Sequence, residues 1–327
     1  MGESYAAAGV DIDAGEEAVR RIGPAVRSTF TESVLTDVGG FGAPFALDTS
    51  RFTQPVLVSS TDGVGTKLLV AEATGRYDTI GIDLVAMVVD DLVCQGAEPL
   101  FLLDYLAVGA LNPDVVEQVV GGIAEGCRQA RCALIGGEMA EHPGAMDPDR
   151  IDVAGFAVGV VERDRLITGD QARPGDLLIG LPSPGLRSNG YSLARRVLLE
   201  VGGLPLDEVA DDLLLPSVIY APAVVDTLAE VDVRGVAHIT GGGIPGNLPR
   251  ALPDDVGHWL DPSTWDVPPI FGRIQELGDV SDEEMAKVFN LGIGMVLVVA
   301  PADADRTIAL LAARGHAARA IGEVTKA

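Results

Sequence analysis

The stretch SSTDGVGTK, Ser59 to Lys67, follows the strand-like run Pro55-Val56-Leu57-Val58 and converts it into an acid, two glycines, a hydroxyl and a lysine. Each of these residue types suits a nucleotide. Asp62 can hold a hydrated Mg²⁺, Gly63 and Gly65 let backbone N–H groups approach phosphate oxygens with no Cβ in the way, Thr66 adds a hydroxyl, and Lys67 supplies a mobile positive charge. The chain has three lysines, Lys67, Lys287 and Lys326, against twenty arginines, so a lysine inside this loop carries weight. The string is neither a Walker A loop nor a dinucleotide fingerprint. Taken alone it also reads as a hairpin turn between two strands.

Further along, GIDLVAMVVDDLVCQGAEP, Gly81 to Pro99, reads as an apolar helix that carries Asp83, Asp90 and Asp91 and ends at Gly96-Ala97. At a helical period Asp83 and Asp90 share a face, and Asp91 lies roughly 80° round from Asp83. A carboxylate among so many apolar neighbours is costly unless it meets a cation. Asp83 is therefore expected as the helix N-cap, and Asp90 and Asp91 are not both expected to face water. In CALIGGEMAEHPG the apolar run Cys132 to Ile135 ends at Gly136-Gly137-Glu138, which repeats the order strand, glycine, carboxylate. Asp62, Asp91 and Glu138 thus lie at or near the ends of apolar elements, where an open α/β arrangement gathers ligand groups. A few carboxylates together with nucleotide phosphates satisfy Mg²⁺. The sequence leaves open which of the three acids touches the ion.

Composition bounds the rest. At 327 residues, with 47% apolar and 22% charged residues, the chain reads as a globular protein of two domains, each large enough for its own core. Cys94, Cys127 and Cys132 are odd in number, sit in apolar surroundings and form no C-x-x-C pair, which argues against disulfides and zinc and for a reducing cytoplasm. No run reaches the ~18 apolar residues of a membrane span, and the first residues lack a basic region followed by an apolar stretch. A formal net charge of −25 excludes nucleic acid as a partner and repels a phosphorylated ligand at long range. Phosphates must then be received locally, by Mg²⁺, backbone amides and a few arginines.

The first half alternates strands with helices of small residues, such as Pro113 to Ala130, and the charged, turn-rich stretch Glu162 to Asp176 reads as the junction, giving domains 1–165 and 166–327. The second half opens with a strand, Leu177 to Leu181, then a loop and a helix from Ser192. Asp211 to Asp232 is mostly helical, GGGIPGNLPRAL is a glycine turn entering a short helix, and the last strand-like run is Gly294 to Val299, followed by a helix from about Asp303 to Arg314. In SNGYS, Ser188 to Ser192, Asn189 offers a donor and an acceptor, Gly190 permits close backbone approach, and the serines suit a phosphate, although a serine cap with a glycine turn has the same pattern. His238, in AHITGGG, is the best acid/base candidate of four histidines. A lone histidine after an apolar strand is more often a structural hydrogen-bonder, and the following Gly241-Gly242-Gly243 favours a phosphate or ribose contact.

These motifs carry a resemblance. YAAAGVDIDAG (Tyr5 to Gly15), VGGFGA (Val38 to Ala43), STDGVGTK, TIGIDLVAM, QGAEPLFLLDY, GGEMAEHPG, DVAGFAVGVVE, SNGYS, AHITGGG and FNLGIGM (Phe289 to Met295) resemble, in order and over nearly the whole chain, the phosphoribosylformylglycinamidine cyclo-ligases of purine biosynthesis. The resemblance implies an α+β fold of two α/β-sandwich-like domains, each a mixed sheet with helices on one side, the first forming the core of a homodimer, and a final strand beyond Ala327. It implies ATP-dependent ring closure of formylglycinamidine ribonucleotide to aminoimidazole ribonucleotide, with ATP and Mg²⁺. Asp62, Asp91 and Glu138 would serve the metal, and Asp62, Gly63, Gly65, Thr66, Lys67 and Asn290 the nucleotide. Arg187, Ser188, Asn189, Gly190, Thr240, Gly241 and Gly242 would serve the substrate, with Lys67, Asp91 and His238 taking part in the chemistry. Many family members carry histidine where this chain has Arg187, which can clamp a phosphate or stabilise negative charge but cannot pass a proton. A thiamine monophosphate kinase-like phosphotransferase and a non-catalytic nucleotide-binding protein are the alternatives. The first would share the acid motifs but lack SNGYS with AHITGGG, and the second would have lost Lys67 or the acids.

Overall fold

The computed structural model describes residues 8–327, so Tyr5 to Ala7 of the first motif lie outside it. The first half runs α1 (Ile12–Arg27), β1 (Pro55–Gly63), α2 (Leu68–Thr74), α3 (Ile80–Cys94), β2 (Glu98–Val108), α4 (Pro113–Ala130), β3 (Ala133–Glu141) and β4 (Ile151–Glu162). The second half runs β5 (Leu177–Pro182), α5 (Tyr191–Arg195), α6 (Leu206–Leu213), α7 (Ala221–Leu228), β6 (Val233–His238), α8 (Gly243–Asn247) and β7 (Val256–Leu260). It closes with α9 (Pro269–Gly278), α10 (Asp282–Val288), β8 (Ile293–Val299), α11 (Ala304–Ala313) and β9 (Arg319–Lys326).

Helix α4 has the bounds expected of it because its ends are chemically marked. The Asn112 side chain accepts the Asp114 N–H, Pro113 sits at the first turn, and Arg131 closes the helix in the left-handed region at φ 57°. Helix α3 differs, since its apolar residues run all round it and no side chain caps it. Thr79 holds the cap position, so Asp83 lies inside the first turn and is not the N-cap expected. A β-carbon at Gly81 would fall 2.0 Å from the Ile123 backbone nitrogen, so glycine there sets how closely α3 and α4 cross.

The first sheet, in the order β1-β4-β2-β3, is mixed: β2 and β3 run parallel through the α4 crossover and the other neighbours are antiparallel. The second, in the order β6-β8-β5-β9-β7, is antiparallel throughout, which corrects the mixed sheet expected there. Its closing strand β9 was not anticipated. It pairs with both β5 and β7, so the last strand is not Gly294 to Val299.

α3 is the spine between the halves, packing on the first sheet and on β6 and α7. The main core is therefore continuous from Leu84, Val88 and Leu102 to Ile179, Met295 and Leu297, rather than one core per half. A smaller cluster on the far side of the second sheet joins Leu178, Val296 and Val298 to Ile244 and Leu248. Each fully buried large aliphatic of α3 contributes about 1.5–3 kcal/mol relative to exposure, enough in sum to carry acids in the same helix provided those acids are paired.

Candidate active site

Asp83 and Asp90 of α3 are fully buried, and each meets a cation. Lys67 Nζ lies 2.6 Å from Asp83 Oδ2 and donates to Leu215 O at 2.8 Å and Arg187 O at 3.3 Å. Asp83 Oδ1 accepts the N–H and hydroxyl of Ser217 at 2.8 and 2.6 Å. Burial pushes the Lys67 ammonium down and Asp83 opposes it. Lys67 is thus a strut between the halves, not the mobile charge that its loop suggested.

The second pair is built differently. Arg187 donates from Nη1 to Val218 O at 2.8 Å and from Nη2 to Asp90 Oδ2 and His238 Nε2, both at 2.9 Å, and its guanidinium lies 4.9 Å from the centre of the Tyr220 ring. Asp90 Oδ1 takes the N–H groups of Tyr220 and Ala221, both at 2.9 Å, so Asp90 does not face water. Burial pushes its carboxyl up, and Arg187 pulls it back. His238 Nδ1 in turn lies 2.9 Å from Asp91 Oδ1, while Asp91 Oδ2 accepts the Ser60 hydroxyl at 3.1 Å.

Asp91 is where this chain of contacts reaches solvent, its side chain 45% exposed above a His238 side chain that is 2% exposed. Burial alone would raise the Asp91 carboxyl, but the hydrogen bond to His238, joined by Ser60, holds it below its ordinary value. Asp62, two residues beyond Ser60 on the same face of β1, behaves oppositely. Burial and then the charge of Asp91 push it up, against the Gly63 N–H that it accepts at 2.8 Å. The two carboxylates are therefore close enough for the charge of Asp91 to act on Asp62.

Across the cleft, chain continuity from Arg187 and His238 delivers Ser188-Asn189-Gly190 and Thr240-Gly241-Gly242. Ser188 Oγ and Asn189 Oδ1 are buried and have no hydrogen-bond partner among the described residues. Gly190 has φ 78°, and a β-carbon there would fall 2.3 Å from the Phe289 ring, so the position requires glycine. A β-carbon on Gly241 would sit 3.6 Å from Asn189 Nδ2, which sets the two loops side by side. Gly65 has φ 65° and open space around it, and the neighbouring Thr66 hydroxyl is 3.2 Å from that of Ser192, bridging the halves. Arg250, which sequence reasoning missed, lies at the cleft, where its charge acts on Asp91. Only its place about two turns after the glycine trio hinted at this.

Two expected residues stand apart. Asn290 makes internal hydrogen bonds, donating to Gly185 O at 2.9 Å and accepting the Gly292 N–H at 2.8 Å, so it braces the loop before SNGYS. Glu138 does not join the other acids. Asp62, Gly155, Asp104 and Gly137 form one row across the first sheet, which puts Glu138 three strands, roughly 14 Å, from Asp62 and on the opposite face. Among the described residues no three His, Cys, Asp or Glu side chains converge on a metal position. Glu138 instead lines a cavity of about 590 Å³ with Asp104, Phe101 and the glycine-rich Asp37 to Ala43 segment.

Two α+β halves welded through a buried charged helix, with a carboxylate pair facing polar glycine loops, define a class that known proteins confirm. The AIR synthase related protein N-terminal domain matches residues 48–161 and the C-terminal domain of the same group matches residues 173–327. Within that group the chain belongs to the phosphoribosylformylglycinamidine cyclo-ligase family. It is 53% identical to the enzyme of that name from Myxococcus xanthus, over 99% of this chain and 96% of that one. It is 52% identical to the one from Trichlorobacter lovleyi, over 98% and 94%. Among solved structures, thiamine-monophosphate kinase from Stenotrophomonas maltophilia has the same fold, with a TM-score of 0.70 over 95% of this chain and 94% of that one at 18% identity. The hydrogenase maturation protein HypE, solved in complex with ATP, matches at a TM-score of 0.62 and 20% identity over 94% and 84%.

Proposed function

We propose that this cyclo-ligase closes its ring in the cleft between Asp62 and Asp91 on one side and the Ser188–Gly190 and Thr240–Gly242 loops on the other. Its reaction is the ATP-dependent cyclisation of formylglycinamidine ribonucleotide to 5-aminoimidazole ribonucleotide, with release of ADP and phosphate. The observation that carries the assignment is the half-exposed Asp91 carboxylate, held from beneath by His238 and Arg187 beside a second carboxylate and opposite polar atoms that have no partner among the described residues. The formyl oxygen of the substrate is a poor leaving group. Transfer of the γ-phosphoryl to it makes phosphate the leaving group, and the substrate's own amidine nitrogen then attacks the activated carbon. Such chemistry asks for positioning and charge neutralisation rather than an enzymic nucleophile.

Asp62 and Asp91 fit Mg²⁺, which takes a few carboxylates and completes its shell with phosphate oxygens and water. Bound there, the ion would neutralise phosphate charge in a protein whose net charge of −25 otherwise repels it. Gly65 and Thr66 are left to receive phosphate oxygens, Asn189, Ser188 and Thr240 to orient the ribonucleotide, and Arg250 to offset its charge. Cys94, Cys127 and Cys132 are free thiols, in keeping with a cytoplasmic enzyme.

A homodimer through the first sheet belongs to the same reading. The face of that sheet away from α3 presents Leu57, Tyr105 and Phe156 at 63%, 42% and 41% exposure, beside Phe101 and Leu103. An apolar face of this kind marks an association surface.

Incubation with MgATP, with and without formylglycinamidine ribonucleotide, while following ADP and the aminoimidazole product together, tests the function. Equal formation of both, lost in Asp91→Asn, is expected. ADP without the imidazole would mean another phosphoryl acceptor, and binding without turnover would refute catalysis in this cleft.

A further inference from the structure

We propose that Arg187 and His238 are positioning residues for Asp91, with Arg187 fixing the tautomer of the histidine so that His238 holds Asp91 and does not carry a proton to or from the substrate. The proposal rests on the reading of the cleft given above. Its logic begins with donors. A guanidinium has no acceptor, so the 2.9 Å contact between Arg187 Nη2 and His238 Nε2 requires that Nε2 present its lone pair. The ring proton is then on Nδ1, which donates to Asp91 Oδ1 at 2.9 Å. With Ser60 donating to Oδ2, both oxygens of Asp91 are held by one donor each, and their remaining lone pairs face the cleft.

The backbone agrees. Arg187 has φ 63°, in the left-handed region that a side chain of this kind rarely adopts. Of the other three non-glycine residues with positive φ among the described residues, two, Arg131 and Asp279, close helices, whereas Arg187 closes none. Its conformation is held by Asp90, Val218 O and the Tyr220 ring. Strain over-determined by buried contacts marks a residue whose placement is used. Arg187 and His238 have side chains 1% and 2% exposed, so neither touches a ligand in the cleft, and both act through Asp91.

Protein labelled with ¹⁵N-histidine gives the first readout. At neutral pH His238 is expected as a single tautomer, protonated on Nδ1 and bare on Nε2, its resonances assigned by their loss in His238→Asn. A proton on Nε2 in the wild-type protein overturns the proposal, and this holds even if Arg187→Met fails to fold; if it folds, loss of the single tautomer is expected. Kinetics and Mn²⁺ binding by electron paramagnetic resonance give the second. His238→Asn keeps an N–H where Nδ1 stood, and should retain kcat and Mn²⁺ affinity to within about tenfold. His238→Leu should lose about 10–100-fold in both with little change in KM for the ribonucleotide. An Asn variant as impaired as the Leu variant would make the histidine a catalytic acid/base and refute the positioning role. A wild-type protein that forms no imidazole refutes the reading of the cleft instead, and the tautomer and Mn²⁺ results then decide the positioning role without it.

Discussion

Lys67–Asp83 and Arg187–Asp90 are buried ion pairs whose acids lie two turns apart on the same helix; the second pair itself spans the two halves of the chain, whereas the first lies within the first half and reaches the second through Leu215 O, Arg187 O and Ser217. The first is closed on itself: after Asp83, Leu215 O, Arg187 O and Ser217, little is left to bind anything else. The second passes beyond its partner, from Arg187 through His238 to a carboxylate in the cleft. Burying charge is expensive, and replacing such a pair by apolar residues is often neutral or stabilising. The difference therefore separates an anchor, which apolar residues could replace, from an anchor that also aims Asp91, which they could not.

The sharpest way to break that comparison is to orphan each cation. Asp83→Ala leaves Lys67 buried without its carboxylate and Asp90→Ala does the same to Arg187, so each should lower the free energy of unfolding by about 3–5 kcal/mol in denaturant titrations. A near-neutral Asp83→Ala would mean that the two backbone carbonyls alone hold Lys67. Next in size is a purely functional effect. Asp91→Asn should reduce kcat on the order of 10²-fold or more while moving the unfolding midpoint little, because that side chain is 45% exposed. Equal loss of stability and activity would merge Asp91 with the anchors.

A smaller effect sharpens the comparison from the other side. The double substitution Lys67→Met with Asp83→Leu should fall within about 2 kcal/mol of the parent, far from the single losses, and should keep its turnover. Retained stability with lost cyclisation would show Lys67 leaving its pair to meet phosphate during the reaction.

How much of this could be read from the chain depends on whether the signal was local. Helix α4 was legible to the residue because its signals are local: Pro113 opens it, and the small and apolar residues that follow keep a helical spacing. The acids of α3 were legible as needing cations, and Asp91 and His238 as members of one site, but not the partners of Asp83 and Asp90. Arg187 meets Asp90 across 97 positions, and no periodicity encodes a contact of that range. Lys67 was conspicuous by its rarity and its glycines, a signal that a phosphate ligand and a buried strut share. Strand β9 was invisible because RAIGEVTK alternates weakly, and its strand character comes from neighbours on both sides. Glu138 was misplaced because a shared local pattern, strand then glycine then acid, says nothing of which sheet face the acid takes.

Asp104 supplies the control for both pairs, since it is an acid drawn into the protein with no cation beside it among the described residues. It packs over Gly137, where a β-carbon would lie 2.1 Å from Asp104 Oδ1, and burial raises its carboxyl to about 7. The folded protein then keeps a proton that the unfolded chain, with an ordinary carboxylate near about 4, has already released. Stability contributed by that proton is complete below about pH 4, falls as the pH rises through the window to about 7, and is gone above it. Asp104→Asn holds the shape and removes the titration. It should exceed the parent in unfolding free energy on the order of 1–2 kcal/mol above neutrality, a figure reduced for contact with water in the cavity, and converge with it in acid. A constant difference across that range would mean that Asp104 stays ionised in the fold, held by donors as Asp83 and Asp90 are.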